Sequence, residues 1–151
     1  MLIGVISDTH GQLRPEALAA LAGVDYILHA GDIGDPAILD TLRDIAPVTG
    51  IRGNVDTQGA CAQLPETEAI ELECHVFYLI HSVDDLDINP EVAGIAMVIS
   101  GHSHQPAIDT RDGVIYLNPG SAGPRRFNLP VTLALVGLTP DAMAPRLVHL
   151  V

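Results

Sequence analysis

The chain has 151 residues, enough for one domain and too few for two of ordinary size. Apolar residues make up 48% and charged residues 17%, which supplies a core and argues against disorder. Nineteen acidic residues against seven basic ones give a formal charge of −12, which argues against broad electrostatic binding to duplex nucleic acid or to an anionic membrane.

Other classes fall on simple grounds. The longest apolar runs, such as Val131 to Leu138, are far shorter than a spanning helix. The stretch Met1 to Ile6 lacks the basic region of a secretory leader, and Ser7 and Asp8 interrupt it. Two cysteines, Cys61 and Cys74, do not make a secreted scaffold, so a reduced, cytoplasmic setting is expected. Aromatic residues are 3% with no tryptophan, so stacking platforms for single-stranded nucleic acid are scarce.

In chain order, Leu2 to Ile6 has the length and composition of a strand. Pro15 suits the first turn of a helix, in which Leu18, Leu21 and Ala22 share a face. Val24 to His29 reads as a second strand. Asp35-Pro36 is a cap followed by a first-turn proline, with Ile38, Leu42 and Ile45 at helical spacing behind it. Val48 to Arg52 is a third strand, and this alternation predicts a parallel sheet. Glu68 to Glu73 and Val76 to Ile80 flank a tight Cys74-His75 connection and predict a hairpin. Asp84 to Gly94 reads as a loop with a helical turn after Pro90. Ile95 to Ser100, Ala107 to Thr110, Val114 to Leu117, Val131 to Leu138 and Arg146 to Leu150 are further strands. No repeat or linker divides the chain, so residues 1–151 are expected to form one domain.

The informative pattern lies at the strand ends. They read Ser7-Asp8-Thr9-His10, Ala30-Gly31-Asp32, Gly53-Asn54-Val55-Asp56, His81, Gly101-His102-Ser103-His104 and Asn118-Pro119-Gly120-Ser121. Open α/β sheets bind ligands outside the carboxyl ends of their strands. One such ending is ordinary turn chemistry; six together point to a site. Asp8, His10, Asp32, Asn54, His81, His102 and His104 are seven candidate ligands, enough for four per metal if Asp32 bridges two ions. Imidazole and carboxylate together suit Mn, Fe, Zn or Ni better than Ca or Mg. Two carboxylates against two divalent ions leave the site net positive inside an acidic protein, which suits an anionic substrate.

These motifs together resemble the signature of the calcineurin-like metallophosphoesterases. Arg52-Gly53-Asn54-Val55-Asp56 and Asn118-Pro119-Gly120-Ser121 are similar to the compact bacterial and archaeal phosphodiesterase branch. The resemblance covers Leu2 to about Val136. It implies an α/β fold, a four-layer αββα sandwich of two mixed β-sheets flanked by helices. It further implies one metal on Asp8, His10, Asp32 and His104 and a second on Asp32, Asn54, His81 and His102, with Asp32, Asn54 and His102 serving catalysis. The expected reaction is hydrolysis of a phosphodiester, a metal-bridging hydroxide attacking phosphorus in line with the leaving oxygen. The expected cofactors are two divalent transition-metal ions, manganese first, then nickel, iron or zinc.

Three departures from the family pattern stand out. Val55 occupies the position where the family often carries a catalytic histidine. His81 is followed by Ser82 rather than glycine. The segment Ser82 to Ser100 is short for the helix usually found there. Among the remaining polar residues, His29 inside a strand reads as a core or supporting histidine, and His75 and His149 as surface groups. Asp56 reads as a brace for the Asn54 loop, and Asp84-Asp85-Leu86-Asp87 as a solvated loop. One of Arg125 and Arg126 is expected to hold a non-bridging phosphate oxygen. The partners expected are a small phosphodiester or nucleotide-like substrate and, at most, another copy of the chain. Two alternatives share the fold: a non-catalytic scaffold of the retromer-coat type, and a phosphomonoesterase or nucleotide hydrolase using the same site.

Overall fold

The computed structural model describes all 151 residues. In chain order the elements are β1 (Leu2–Ile6), α1 (Pro15–Ala20), β2 (Tyr26–His29), α2 (Pro36–Arg43), β3 (Val48–Gly50), β4 (Thr67–Leu72), β5 (His75–Ile80), β6 (Met97–Ile99), β7 (Ala107–Arg111), β8 (Val114–Asn118), β9 (Thr132–Thr139) and β10 (Ala142–His149). They form two five-stranded mixed sheets, β10-β9-β1-β2-β3 and β4-β5-β6-β8-β7.

Period-two alternation sorts the side chains into layers. Ile3, Val5, Leu28, Ala134 and Val136 of the first sheet meet Phe77, Leu79, Met97, Ile99 and Leu117 of the second. Phe77 is wholly buried in this inter-sheet core, and its truncation to alanine would cost about 3–5 kcal/mol. On the outer face of the first sheet, Ile6, Ile27, Leu133 and Leu135 pack against the two helices through Ala17, Leu21, Ile38, Leu39 and Leu42. Asp35 caps α2 by accepting the Ala37 N–H at 2.9 Å, with Pro36 at the first turn. The outer face of the second sheet carries Ile80, Val98 and Val114, covered by Leu86 and Ile95 of the segment 83–95. That segment is a 3-10 turn over Val83–Asp85 and a loop with one turn closed by Ala93 N–H on the Asn89 carbonyl. The sandwich thus has a helical layer on one side and this shorter cover on the other. No helix is long and apolar enough to cross a membrane.

Each sheet contains one parallel triad. β1, β2 and β3 run parallel, as do β5, β6 and β8, while β9, β10, β4 and β7 add antiparallel edges. Parallel strands finish on the same edge of a sheet. The six strand ends that carry the polar motifs are the ends of these six parallel strands.

Several local expectations shift. The hairpin turns at Glu73-Cys74, with Leu72 opposite His75, and both turn residues have positive φ (49° and 68°). His75 therefore starts β5; it is half-buried, and its ring contacts the Thr139 carbonyl at 2.8 Å. β2 starts at Tyr26 rather than Val24. β10 starts at Ala142 rather than Arg146, because Pro145 sits on an edge strand bonded only to β9. In α1 the buried face is Ala17 and Leu21, one turn apart; Leu18 is half-buried, and Ala22 lies beyond the helix, exposed.

Candidate metal centre

The β1–β2 pairing continues past the strands and sets the first half of the site. Asp8 N–H bonds the Gly31 carbonyl at 3.0 Å, His10 N–H the Asp32 carbonyl at 2.9 Å, and Gly11 N–H the Ile33 carbonyl at 2.8 Å. From the second sheet, Gly101 N–H bonds the His81 carbonyl at 2.9 Å. Five of the seven candidate ligands adopt left-handed backbone: Asp8 (φ 54°), His10 (46°), Asp32 (55°), His102 (71°) and His104 (62°). Only a few per cent of non-glycine residues do so, and such conformations concentrate at functional sites. Two glycines make the crowding feasible. A Cβ on Gly53 would overlap the Asp32 carboxylate, and one on Gly101 would overlap Ser7 Oγ and Asp8 Oδ2.

The converging atoms are nearly all lone-pair donors. Asp8 Oδ1 lies 3.4 Å from His104 Nε2, 3.7 Å from His10 Nε2 and 3.9 Å from His81 Nε2. Asp32 Oδ2 lies 3.2 Å from His81 Nε2 and 3.6 Å from His10 Nε2. His10 Nε2 and His104 Nε2 stand 3.3 Å apart. Ligand atoms about 2.1 Å from a tetrahedral zinc-sized ion stand roughly 3.4 Å from one another. Asp8 Oδ1 and His81 Nε2 are also buried without a hydrogen-bond partner, as is His104 Nδ1. Buried unpaired groups of this kind are costly, and a cation among them removes the cost. The residues present therefore fit divalent metal. Two groups have ligand-capable atoms close enough to share an ion, Asp8–His10–His104 and Asp8–Asp32–His81. Asp8 belongs to both, whereas the sequence gives the bridging place to Asp32 alone.

The other two candidates lie at the solvent side. The His102 ring stands edge-on to His81 with centroids 5.3 Å apart. Asn54 is exposed and lines, with His81, a cavity of about 430 Å³. Val55 beside it is 47% exposed, and its N–H donates to Asp32 Oδ1 at 3.0 Å. The two arginines part company. Arg125 reaches the Val151 carbonyl at 3.5 Å, whereas the charge of Arg126 acts on His104.

Behind the candidate ligands stands a set of braces. Ser7 Oγ donates to Asp8 Oδ2 at 2.7 Å, and Ser121 Oγ donates to the Asp8 carbonyl at 2.8 Å. Asn118 Nδ2 donates to the Gly101 carbonyl at 3.0 Å and to Ser103 Oγ at 3.1 Å, holding the loop that bears His102 and His104. Asp56 is buried and accepts four hydrogen bonds from three backbone N–H groups, those of Ile33, Gly34 and Gly53, at 2.8–3.1 Å. It ties the Asp32 loop to the Asn54 loop. His29 accepts the Gly31 N–H on Nδ1 at 3.1 Å, so its proton sits on Nε2 and is donated to Thr9 Oγ1 at 3.1 Å. Thr9 passes its own hydrogen to the Ile33 carbonyl at 2.9 Å. Sequence reasoning found the bracing part of Asp56 and the supporting place of His29. It assigned nothing to Ser7 or Asn118, whose residue types at strand ends were the available signal.

Protonation follows the same geometry. Burial pushes His29 down to about 4, against the pull of the Asp8 and Asp56 charges. Burial raises Asp32, but the neighbouring His81 ring and the Val55 N–H outweigh it and leave the carboxyl at about 2. Burial opposes a charged His81, yet the nearby Asp32 carboxylate and the bond to the Ala30 carbonyl hold the ring above its ordinary value. His104 is lowered, chiefly by burial and further by Arg126 and His10.

Comparison with known proteins agrees with this geometry. Residues 1–141 match the calcineurin-like phosphoesterase superfamily domain. A probable metallophosphoesterase of Methanothermobacter thermautotrophicus is 38% identical over 147 residues, covering 89% of this chain and 85% of that protein. An archaeal phosphodiesterase has the same fold, with a TM-score of 0.79 at 21% identity, over 98% of this chain and 100% of that one. A zinc-complexed Vps29 of Entamoeba histolytica also has a TM-score of 0.79, at 22% identity over 100% of both chains.

Proposed function

The chain belongs to the calcineurin-like phosphoesterase superfamily, and on that footing we propose that it is a dinuclear metal-dependent phosphodiesterase. The observation that carries this reading is the set of converging, unpartnered lone pairs around Asp8 Oδ1, beside a cavity large enough for an ester substituent.

Asp8, His10, Asp32 and His104 would hold one ion, and Asp32, Asn54, His81 and His102 the other, with Asp8 Oδ1 near enough to both groups to share in the bridge. Divalent ions there supply Lewis acidity, making water acidic and offsetting phosphoryl charge. The mixed nitrogen and oxygen donor set favours manganese, with nickel, iron or zinc as substitutes, over magnesium. His81 donates Nδ1–H to the Ala30 carbonyl at 2.8 Å, which turns Nε2 toward the carboxylates. Of the two arginines, Arg126, whose charge is felt at His104, would be the one to hold a non-bridging phosphoryl oxygen. Val55 provides no proton for the leaving oxygen. The substrate is a small phosphodiester, the reaction requires no covalent enzyme intermediate, and the setting is cytoplasmic.

The test is metal content of protein purified without chelator, followed by hydrolysis of bis(p-nitrophenyl) phosphate and p-nitrophenyl phosphate after reloading with manganese or magnesium. Bound transition metal and faster diester hydrolysis with manganese are expected. Preference for the monoester would replace the reading with a phosphomonoesterase. Protein that takes up no metal and hydrolyses neither ester would be a scaffold.

A further inference from the structure

The cavity beside the carboxylate–imidazole cluster has charges that do not suit a second anion. Arg52 is the only arginine or lysine lining it, and it is already engaged. Its guanidinium bonds Glu66 at 2.9 Å and the Ala62 carbonyl at 3.0 Å. Asp85 and Asp87 line the same cavity and have no ion-pair partner, so two carboxylate charges there are uncompensated. They belong to the short segment covering the second sheet, whose 3-10 turn over Val83–Asp85 brings the acidic run alongside the site. The cavity reaches the candidate metal centre itself. Asn54 and His81, two of the candidate ligands, line it together with Asp85 and Asp87. The cavity is therefore continuous with the place where a phosphoryl group would be held. Tyr78 adds an aromatic side chain to the lining.

We propose that this cavity holds one ester substituent of the substrate, and that Asp85 and Asp87 select a substituent bearing an ammonium group over one bearing a carboxylate. The inference rests on the phosphodiesterase reading and adds the substrate class. A diester held by its phosphoryl oxygens presents an alcohol-derived substituent to the cavity. An ammonium group on that substituent gains from both carboxylates. A carboxylate there meets like charge twice. In a solvent-filled cleft each such interaction changes affinity by about three- to fourfold at separations of 5–6 Å.

The experiment titrates manganese-loaded protein calorimetrically with 2-aminoethyl phosphate, 2-hydroxyethyl phosphate and carboxymethyl phosphate, which share one phosphate group. Affinity is expected to fall in that order by about tenfold per step. The double substitution Asp85→Asn and Asp87→Asn is expected to compress the series to within about twofold; if it does not fold, each single substitution should compress it in part. Equal affinities, a reversed order, no binding by any of the three, or a series that survives the substitutions would overturn the proposal. Hydrolysis of methyl p-nitrophenyl phosphate by the unaltered protein is measured beside it. Turnover with flat affinities removes the selection and keeps the phosphodiesterase; graded affinities without turnover do the reverse.

Discussion

The carboxylate of Asp8, at the end of β1, accepts the backbone N–H of His102, from the other sheet, at 3.0 Å. This bond falls on Oδ2, which also takes the Ser7 hydroxyl. Oδ1 takes no hydrogen bond and faces the imidazole nitrogens of His10, His81 and His104. One carboxylate thus joins the two sheets through one oxygen and offers the other to a cation. Asp32 divides its oxygens in the same way, Oδ1 to the Val55 N–H and Oδ2 toward His81 and His10.

This division makes asparagine a sharp probe. In Asp8→Asn the amide oxygen must keep the Oδ2 position, because two donors face it, so the NH2 group turns into the cluster. In Asp32→Asn a single donor, the Val55 N–H, favours the amide oxygen at the Oδ1 position and turns the NH2 group the same way. Both variants should lose bound metal by more than the roughly 10–100-fold typical of removing a group behind the ligands, with phosphodiesterase activity falling accordingly. Ser7→Ala should show the smaller loss, within that range. Metal content and calorimetric affinity read all three. Two tightly bound ions in Asp32→Asn would remove it from a bridging place.

Asp56 has no cation beside it and is held by backbone alone. Truncation to alanine leaves the Ile33, Gly34 and Gly53 N–H groups without their acceptor. Bonds to a charged acceptor are worth about 1.5–3 kcal/mol each and are not additive, so a loss of about 3–5 kcal/mol is expected. Urea unfolding of metal-free protein measures it. A shift under about 1 kcal/mol would mean that water or a rearranged loop replaces the carboxylate.

The ends of the parallel strands were legible because two signals coincide there. Apolar runs such as Leu2 to Ile6 stop abruptly, and the residues that follow pair glycine with Asp, His or Asn. Parallel pairing then brings ends far apart in the chain to one edge. What was not legible depends on contacts without a local signature. The Glu73-Cys74 turn contains neither glycine nor asparagine, so the pattern does not mark its register. The contact of His75 with Thr139 joins different sheets. The start of β10 was hidden by Pro145, tolerated because that edge needs no N–H there. Arg125 and Arg126 are adjacent in sequence, and only their surroundings separate them.

His29 sets a pH dependence of stability. Its value is depressed in the folded protein from 6.5 to about 4. The unfolded chain therefore binds the extra proton first as pH falls. The stabilisation is fully present above 6.5 and is lost progressively between 6.5 and 4, to a total of about 3 kcal/mol. Unfolding free energies of metal-free protein across that window, compared with His29→Gln, isolate the effect. Parallel curves for the two proteins would mean that the ring is not the neutral donor to Thr9.

Val55 bears on the chemistry of departure. It sits beside Asn54, half-exposed, with its N–H engaged by Asp32 and a side chain that carries no proton to give. General acid catalysis is typically worth about 10²–10⁴-fold and matters most for poor leaving groups. Without it, rates should fall steeply as the pKa of the leaving alcohol rises. Asp56, close in sequence, is no substitute, because it is buried and its oxygens are taken by backbone N–H groups. The measurement is kcat/KM over a series of aryl phosphodiesters at fixed metal and pH, with chemistry shown to limit the rate. A flat dependence would mean that another group delivers the proton, and the hydroxyl of Tyr78 in the adjoining cavity is then the first to remove, as Tyr78→Phe. In Val55→His the slope should become shallower, because an imidazole at this exposed position carries a proton near neutral pH. A slope as steep as in the unaltered protein, with metal content unchanged, would show that position 55 does not reach the leaving oxygen.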